Sequence, residues 1–379
     1  MKIEQRLTTG VISMNIDDGN WSAEDLFLLA ERKNPKRSFL FVSKILGKHI
    51  PVAPSIMRRS YKDLANKIKF LDHDAVLFIG MAETAVGLAA GIYEEVSKRL
   101  TNSLLLTTTR HPINAEIIGE FKEEHSHATD HLIHSPIDNK KNNGRLSIYK
   151  TLVLIDDETT TGKTFINLIN SLFNNKIIDR DNIKEIITVT ITDWSRERLK
   201  ELNNTGIDIK TVSLMSGDWC WKANPKAVLP TMPNVNTSST GKAKISSRQD
   251  WGRLGVVEYD CHEWLQKFNG FNNEKILVLG TGEFLFPAFK AAEKMEKQGA
   301  NVVFSSTTRS PISTGLAIES VIVFTDNYGL GIPNYCYNVA HNRYDRAIIC
   351  SETESEFIDK RLIDSLEKIS NKVEIIYYD

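Results

Sequence analysis

LVLIDDETTTGKTF, residues 152–165, sets four aliphatic residues before two aspartates and follows them with three threonines, Gly162, Lys163 and Thr164. The GKT ending suggests a nucleotide-binding P-loop. That reading needs a glycine five residues before Gly162, where the backbone curls through conformations that only glycine reaches cheaply. Asp157 stands there instead, and its charge would face the space meant for the β-phosphate. A second reading fits better: a buried strand over 152–155, two carboxylates at its end, and a turn of small hydroxyl residues opening a helix near Lys163. A helix amino terminus offers unpaired N–H groups to an anion, here flanked by the hydroxyls of Thr160, Thr161 and Thr164 and the backbone of Gly162. Asp156 and Asp157 are placed to accept hydrogen bonds from a diol or to hold a divalent ion. Phosphate beside diol is the chemistry of a sugar phosphate. The plainer alternative is an amphipathic strand entering a Thr-capped helix.

The whole chain narrows the class. At 379 residues it is long enough for two domains with their own cores. A formal net charge of −1 provides no global basic field to recruit nucleic acid. No apolar run is long enough to cross a bilayer and no leader pattern is seen, so a cytoplasmic protein without membrane or nucleic-acid partners is expected. Four widely spaced cysteines, Cys220, Cys261, Cys336 and Cys350, read as reduced thiols rather than a zinc site or a disulfide framework.

Strand and helix patterns alternate along both halves, which predicts α/β architecture with mainly parallel sheets flanked by helices. In the first half, strands are expected at 75–79, 103–106, 152–155, 186–191 and 209–214, with helices over 85–98 and from Lys163 to about Phe173. Residues 222–255, rich in Pro, Asn, Ser, Thr and Lys, read as a linker. The domains are thus expected at 1–221 and 256–379. The halves also match each other: Gly80 and Glu83 answer to Gly280 and Glu283, and Arg110 and Pro112 to Arg309 and Pro311. Duplication and the shared physics of βα turns both produce such a match, and duplication is favoured by the order of the positions. The strand expected to answer the signature, VIVFTDNYGLGIPN, carries a single Asp326, so the second copy is not expected to bind a sugar phosphate in the same way.

The signature resembles that of the type I phosphoribosyltransferases, a hydrophobic strand, an acidic pair and a loop ending in TTGKT or TTGGT. The segment TTRSP at 307–311 resembles the TRSP domain, which follows the transferase domain in a family found in bacterial tellurium-resistance and stress-response gene clusters. The segments NPKRSFLFVSKILGKHIPV and FKEEHSHATDHLIHSP are similar to that family as well. The resemblance implies an orotate-phosphoribosyltransferase-like fold and transfer of ribose 5-phosphate between phosphoribosyl pyrophosphate (PRPP) and a small base-like substrate. It implies that Thr159, Thr160, Thr161, Gly162, Lys163 and Thr164 grip the 5′-phosphate. Asp156 and Asp157 would meet the ribose hydroxyls and Mg²⁺, directly or through PRPP. The turn Gly80, Met81, Ala82, Glu83 and Thr84 would cradle pyrophosphate, assisted by Lys44 and Lys48. At Thr160 some purine-salvage members carry an acid that helps protonate the base, so this chain must manage that step otherwise. A homodimer is left open.

Ribosyl transfer needs stabilisation of a cationic sugar and an anionic leaving group away from water. Arg110, in TTTRHP, is a candidate catalytic clamp for a diphosphate, or it holds its turn as its counterpart Arg309 would. Glu83 reaches Mg²⁺ or a basic neighbour, or it complements a helix dipole. Lys44, Lys48 and His49 suit phosphate contacts, although a solvated basic face shows the same spacing. The His-rich segment 123–134 is read as a mobile hood that meets the acceptor, with Glu124, His125 and His127 as catalytic candidates. Its sharper alternative is a metal site, with His125 and His127 on a strand face and His131 one helical turn from His134. The leading expectation is an enzyme. A catalytically silent PRPP or nucleotide sensor is the rival, and an RNA-associated regulator would want more aromatic and basic surface than Trp219 and Trp221 provide, which read as packing a domain edge.

Overall fold

The computed structural model describes all residues except 18, 33–36, 72–73, 123–129, 138–145, 228–240, 244, 246–250 and 379. The first unit opens with the hairpin β1 (Lys2–Leu7) and β2 (Gly10–Ile16), a short helix α1 (Ala23–Leu26) and a second hairpin, β3 (Phe27–Glu31) and β4 (Phe39–Ser43). It continues through α2 (Pro54–Lys67), β5 (Val76–Gly80), α3 (Val86–Val96), β6 (Ser103–Thr107) and a third hairpin, β7 (Ile117–Lys122) and β8 (Asp130–His134). The signature strand β9 (Thr151–Ile155) leads to the two-residue β10 (Glu158–Thr159), α4 (Lys163–Asn174), β11 (Glu185–Asp193), α5 (Arg198–Leu202) and β12 (Ile209–Ala223). The strands join in the order β1-β2-β12-β11-β9-β5-β6, with β10 beside β11. The ladder from β12 to β6 is parallel.

The reason lies in the side chains. Strands β5, β6, β9 and β11 are buried along their whole length, as parallel strands covered on both faces must be. Helix α4 lays Phe165, Leu168, Ile169 and Leu172 on one face of the sheet, and α2 and α3 cover the other. Strand β12 runs nine residues past its expected end at Leu214, because its second half pairs antiparallel with β2 from Gly217 to Ala223. Gly217 and Asp218 disfavour a strand locally, and the tertiary partner overrides them.

The second unit comprises α6 (His262–Leu265), β13 (Lys275–Gly280), α7 (Phe286–Lys297), β14 (Asn301–Ser306), a hairpin β15 (Val321–Thr325) and β16 (Pro333–Tyr337), then β17 (Tyr344–Ser351), α8 (Lys360–Glu367) and β18 (Ser370–Tyr377). Its sheet order is β14-β13-β17-β18, all parallel. This repeats β6-β5-β9-β11 strand for strand. The turns repeat too: Thr108 N–H donates to Gly80 O and Thr307 N–H to Gly280 O. Thr108 Oγ1 accepts from Ala82 N–H, and Thr307 Oγ1 from Gly282 N–H, each at 2.8 Å. The hairpins β7–β8 and β15–β16 dock alike, through Thr109 with Leu132 and Thr308 with Tyr335. One expectation is thereby corrected. VIVFTDN forms β15, which lies off the parallel sheet, and the counterpart of the signature strand is β17, so Ser351 and Glu352 stand where Asp156 and Asp157 stand in the first unit. Alternating exposure in β15 marks a hairpin strand, not a doubly covered one.

The units share one hydrophobic core, in which α2, α3 and α7 lie between the two sheets. Tyr61 meets Phe289 edge-to-face at 5.3 Å, and Arg58 joins Glu293 at 2.7 Å. A Cβ on Gly87 would come within 3.2 Å of Leu285. At the end of the stretch read as linker, Arg253 and Leu254 are buried, and Val256 bridges Leu105 on the β6 edge. Among the described residues no helix is long and apolar enough to cross a membrane.

Candidate functional site

Parallel strands leave their carboxyl ends and the following helix amino termini on one edge of a sheet, where ligands bind in open α/β folds. At that edge β9 ends at Ile155. The backbone of Asp156 and Asp157 is tied to β11 through Asp156 N–H to Val189 O (3.1 Å) and Ile191 N–H to Asp157 O (3.0 Å). Asp156 Oδ1 accepts the N–H of Asp157 at 2.9 Å, which curls the turn. Gly162 caps α4 with φ +80°, and a Cβ there would lie 2.6 Å from Leu199. Gly162, the N-cap of α4, brings no side chain to it, so the amino terminus opens on the turn. Asp156, Asp157, Glu158, Thr159, Thr160, Thr161, Gly162, Lys163 and Thr164 all line one cavity of about 610 Å³. Thr161 Oγ1 accepts the N–H of Lys163 at 3.3 Å.

The turn after β5 forms a facing wall, with corrections. Ala82, Glu83 and Thr84 line the cavity, and Gly80 and Met81 do not. Met81 N–H is used by Ile155 O (2.9 Å) and Ala82 N–H by Thr108 Oγ1, so neither amide is available to an anion. Gly80 serves packing, since its Cβ would fall 2.4 Å from Ala89 Cβ. The amides of Glu83 and Thr84 have no hydrogen-bond partner among the described residues. The Ala82–Glu83 peptide bond is cis. Glu83 finds basic neighbours, Lys48 at 3.2 Å and Arg309 at 2.9 Å. Burial alone would raise its pKa, yet these two cations hold it at about 2.

The two lysines expected at this wall are placed otherwise. Lys48 is buried with its ammonium on Glu83 and does not line the cavity. Lys44 donates to the carbonyl of Glu24 at 2.6 Å, away from the cavity. Rather than reach a ligand, Lys48 is neutralised inside the protein by Glu83 and Lys44 closes a loop onto Glu24. Arg110 does line the cavity, with Nη2 on Ala82 O at 3.2 Å and its backbone N–H on Glu283 Oε1 at 2.8 Å. His131 lines it as well, stacked on Phe121 and bonded to Thr108 Oγ1 at 2.9 Å. His131 and His134 lie on β8, and odd spacing on a strand sends them to opposite faces. The helical pairing of these two is therefore wrong. Glu124, His125 and His127 lie outside the described residues. No group of three His, Cys, Asp or Glu among the described residues is arranged to hold a metal.

The third wall was missed in the sequence. It comes from β3–β4 and the far end of β12: Arg37, Phe39, Phe41, Trp219 and Trp221. Phe39 meets Trp219 at 5.0 Å and Trp221 at 4.9 Å. The guanidinium of Arg37 sits 4.9 Å over the Phe39 ring and is bound to Glu158 at 2.6 Å. The tryptophans thus line a cavity as well as packing an edge. Their period-two spacing in WCW is the signal for a strand face, obscured by the preceding SGD. His49 also borders the cavity; burial, then Lys48, pushes its ring down to about 3, so it is neutral, and its Nε2 has no partner.

The equivalent edge of the second unit is filled. Arg253 makes a bidentate pair with Glu352, 2.7 Å on each arm, and reaches Glu283 at 3.0 Å. Tyr328 donates to Glu352 at 2.8 Å and stacks on His111 at 3.9 Å. Where the first unit has a hollow, the second has protein.

A profile of a family described as phosphoribosyl transferase matches residues 26–218, and one described as the TRSP domain C-terminal to it matches residues 255–366. No curated protein matches the sequence. Among solved structures, the chain is similar to adenine phosphoribosyltransferase of Trypanosoma brucei, in complex with AMP, pyrophosphate and ribose-5-phosphate. That match has 13% identity and a TM-score of 0.35, over 50% of this chain and 77% of that one. Orotate phosphoribosyltransferase of Aeropyrum pernix matches at 14% identity and a TM-score of 0.28, over 48% and 79%. That of Mycobacterium tuberculosis matches at 11% and 0.27, over 50% and 89%. With more than half its length matched by the family profile, the chain belongs to the phosphoribosyl transferase family and carries the TRSP domain behind its transferase domain.

Proposed function

We propose that this protein transfers ribose 5-phosphate between PRPP and a planar, base-like acceptor, in either direction. The observation that carries the reading is the convergence of the signature loop 156–164, the turn 82–84, Arg110 and an aromatic wall on one cavity. Each wall suits one part of the reactants. The amino terminus of α4 and the threonine hydroxyls suit the 5′-phosphate. Asp156 and Asp157, one turn earlier, suit the ribose hydroxyls. The amides of Glu83 and Thr84 and the guanidinium of Arg110 suit pyrophosphate, and Phe39 and Trp219 suit stacking of a ring.

Catalysis on this reading is positioning and electrostatics. The aspartates stabilise positive charge that grows on the sugar as the bond to pyrophosphate lengthens, and Arg110 stabilises the departing negative charge. Two adjacent carboxylates fit Mg²⁺, which is commonly held by one or two carboxylates with substrate phosphates and waters completing its shell. The ion would neutralise the diphosphate. His49 and His131 border the cavity, and neutral His49 suits a hydrogen bond to an acceptor or ligand. The resemblance to a stress-response and tellurium-resistance family makes nucleotide-like metabolite synthesis the expected setting.

The test is pyrophosphate release from PRPP and Mg²⁺ against a panel of purine, pyrimidine and pyridine bases. Release with at least one acceptor is expected. Calorimetric PRPP binding with no release from any acceptor would instead make the protein a sensor, and no PRPP binding would sink both readings.

A further inference from the structure

The equivalent edge of the second unit is filled by Arg253, Glu352 and Tyr328, yet this unit reaches into the hollow of the first. Thr308, Arg309 and Ser310, the turn after β14, line the cavity beside Glu83, Thr84 and Arg110. They arrive there by a reciprocal crossing. Glu83 of the first unit takes the Nε–H of Arg309 at 2.9 Å, and Glu283 of the second takes the Arg110 N–H and the Thr109 hydroxyl at 2.8 and 2.6 Å. Each turn's glutamate thus holds the TTR turn of the other copy, as in a two-fold pair of subunits joined into one chain.

Arg309 is only 6% exposed, and its Nη2 is buried without a hydrogen-bond partner. In a residue that lines the cavity, a buried guanidinium nitrogen without a partner is costly unless a ligand completes it. Lys48 and Arg309 share the carboxylate of Glu83, beside the Glu83 and Thr84 amides. We propose that Arg309 is a diphosphate-binding residue, and that the TRSP domain supplies it to the transferase site in cis. The Glu83 pair at Nε orients the guanidinium and leaves its Nη edge for two phosphate oxygens. This rests on the reading of the cavity given above.

The experiment uses the full chain and two separate calorimetric probes, magnesium pyrophosphate and ribose 5-phosphate. Wild type is expected to bind both. Arg309→Gln should weaken pyrophosphate at least tenfold while ribose 5-phosphate stays within twofold, and Arg309→Lys should recover only part of the loss because a point charge cannot clamp two oxygens. If Arg309→Gln misfolds because Glu83 keeps only Lys48, Glu83→Gln with Arg309→Gln removes the strain and should show the same split. Pyrophosphate affinity within twofold of wild type in either variant would overturn the proposal. So would an equal loss of both probes, the mark of a merely structural residue. Failure of wild type to bind either probe would overturn the cavity reading itself, and the proposal with it.

Discussion

Asp156 and Asp157 share one turn, and the proposed chemistry depends on them more than on any other pair. Replacing both with asparagine should lower PRPP affinity at least tenfold in calorimetry and leave the thermal transition single; unchanged affinity would remove the sugar from this edge. Gly162 is the only residue type that its φ of +80° and the 2.6 Å approach to Leu199 permit cheaply. Gly162→Ala should cost about 1–3 kcal/mol in urea unfolding. The buried titratable groups predict a pH profile. Burial holds His111 and His49 near 3, against about 6.5 in an unfolded chain. Between those values the unfolded chain takes up protons that the folded one excludes, so each ring lowers stability by about 1.4 kcal/mol per pH unit as acid is added below 6.5. Glu83 and Glu283, held at about 2 despite burial by their cations, contribute stability that is intact above about 4.3 and lost as pH falls toward 2. Urea midpoints should therefore drop from pH 7 to 4, and His111→Asn should remove part of the slope between 6 and 4; a slope unchanged by that substitution would count against the burial argument.

The elements divide the labour of the cavity. The signature turn between β9 and α4 lines the end proposed for the phosphate, whereas β3, β4 and β12 line the aromatic end. Trp219→Ala should raise KM for the acceptor about tenfold and leave PRPP affinity alone, because stacking on an aromatic is worth about 1–3 kcal/mol. Loss of PRPP affinity in that variant would put the ring elsewhere. The signature strand, its helix and the βα turns were legible because each is a local pattern: a buried aliphatic run, a glycine, a hydroxyl-rich cap. The aromatic wall was not, because Phe39 and Trp219 are 180 positions apart in the chain and meet only when β12 pairs with β2. Lys48 shows the same limit. Its charge was visible, but whether a lysine faces a ligand or a buried carboxylate depends on where Glu83 lies.

On the scale of the molecule, two units with the same strand order share one hydrophobic core. Arg253, from the stretch between them, is shared by Glu283 and Glu352, all three buried. Arg253→Met should destabilise by about 3–5 kcal/mol, since it leaves two buried carboxylates without their cation. Far-UV dichroism and tryptophan fluorescence should report one coincident transition in wild type; separate transitions would show that the shared core does not couple the units. By itself the sequence determined the α/β class, the strand–turn–helix of the signature, its acidic pair and the internal match, because periodicity and turn chemistry act over a few neighbouring residues. Only the tertiary structure decided which copy keeps an open site, that β17 and not β15 answers the signature strand, and that Arg309 crosses to the other copy's cavity. Those outcomes rest on contacts between residues 24 to 226 positions apart, whose burial and charge pairing exist only once the two sheets have packed on the same three helices.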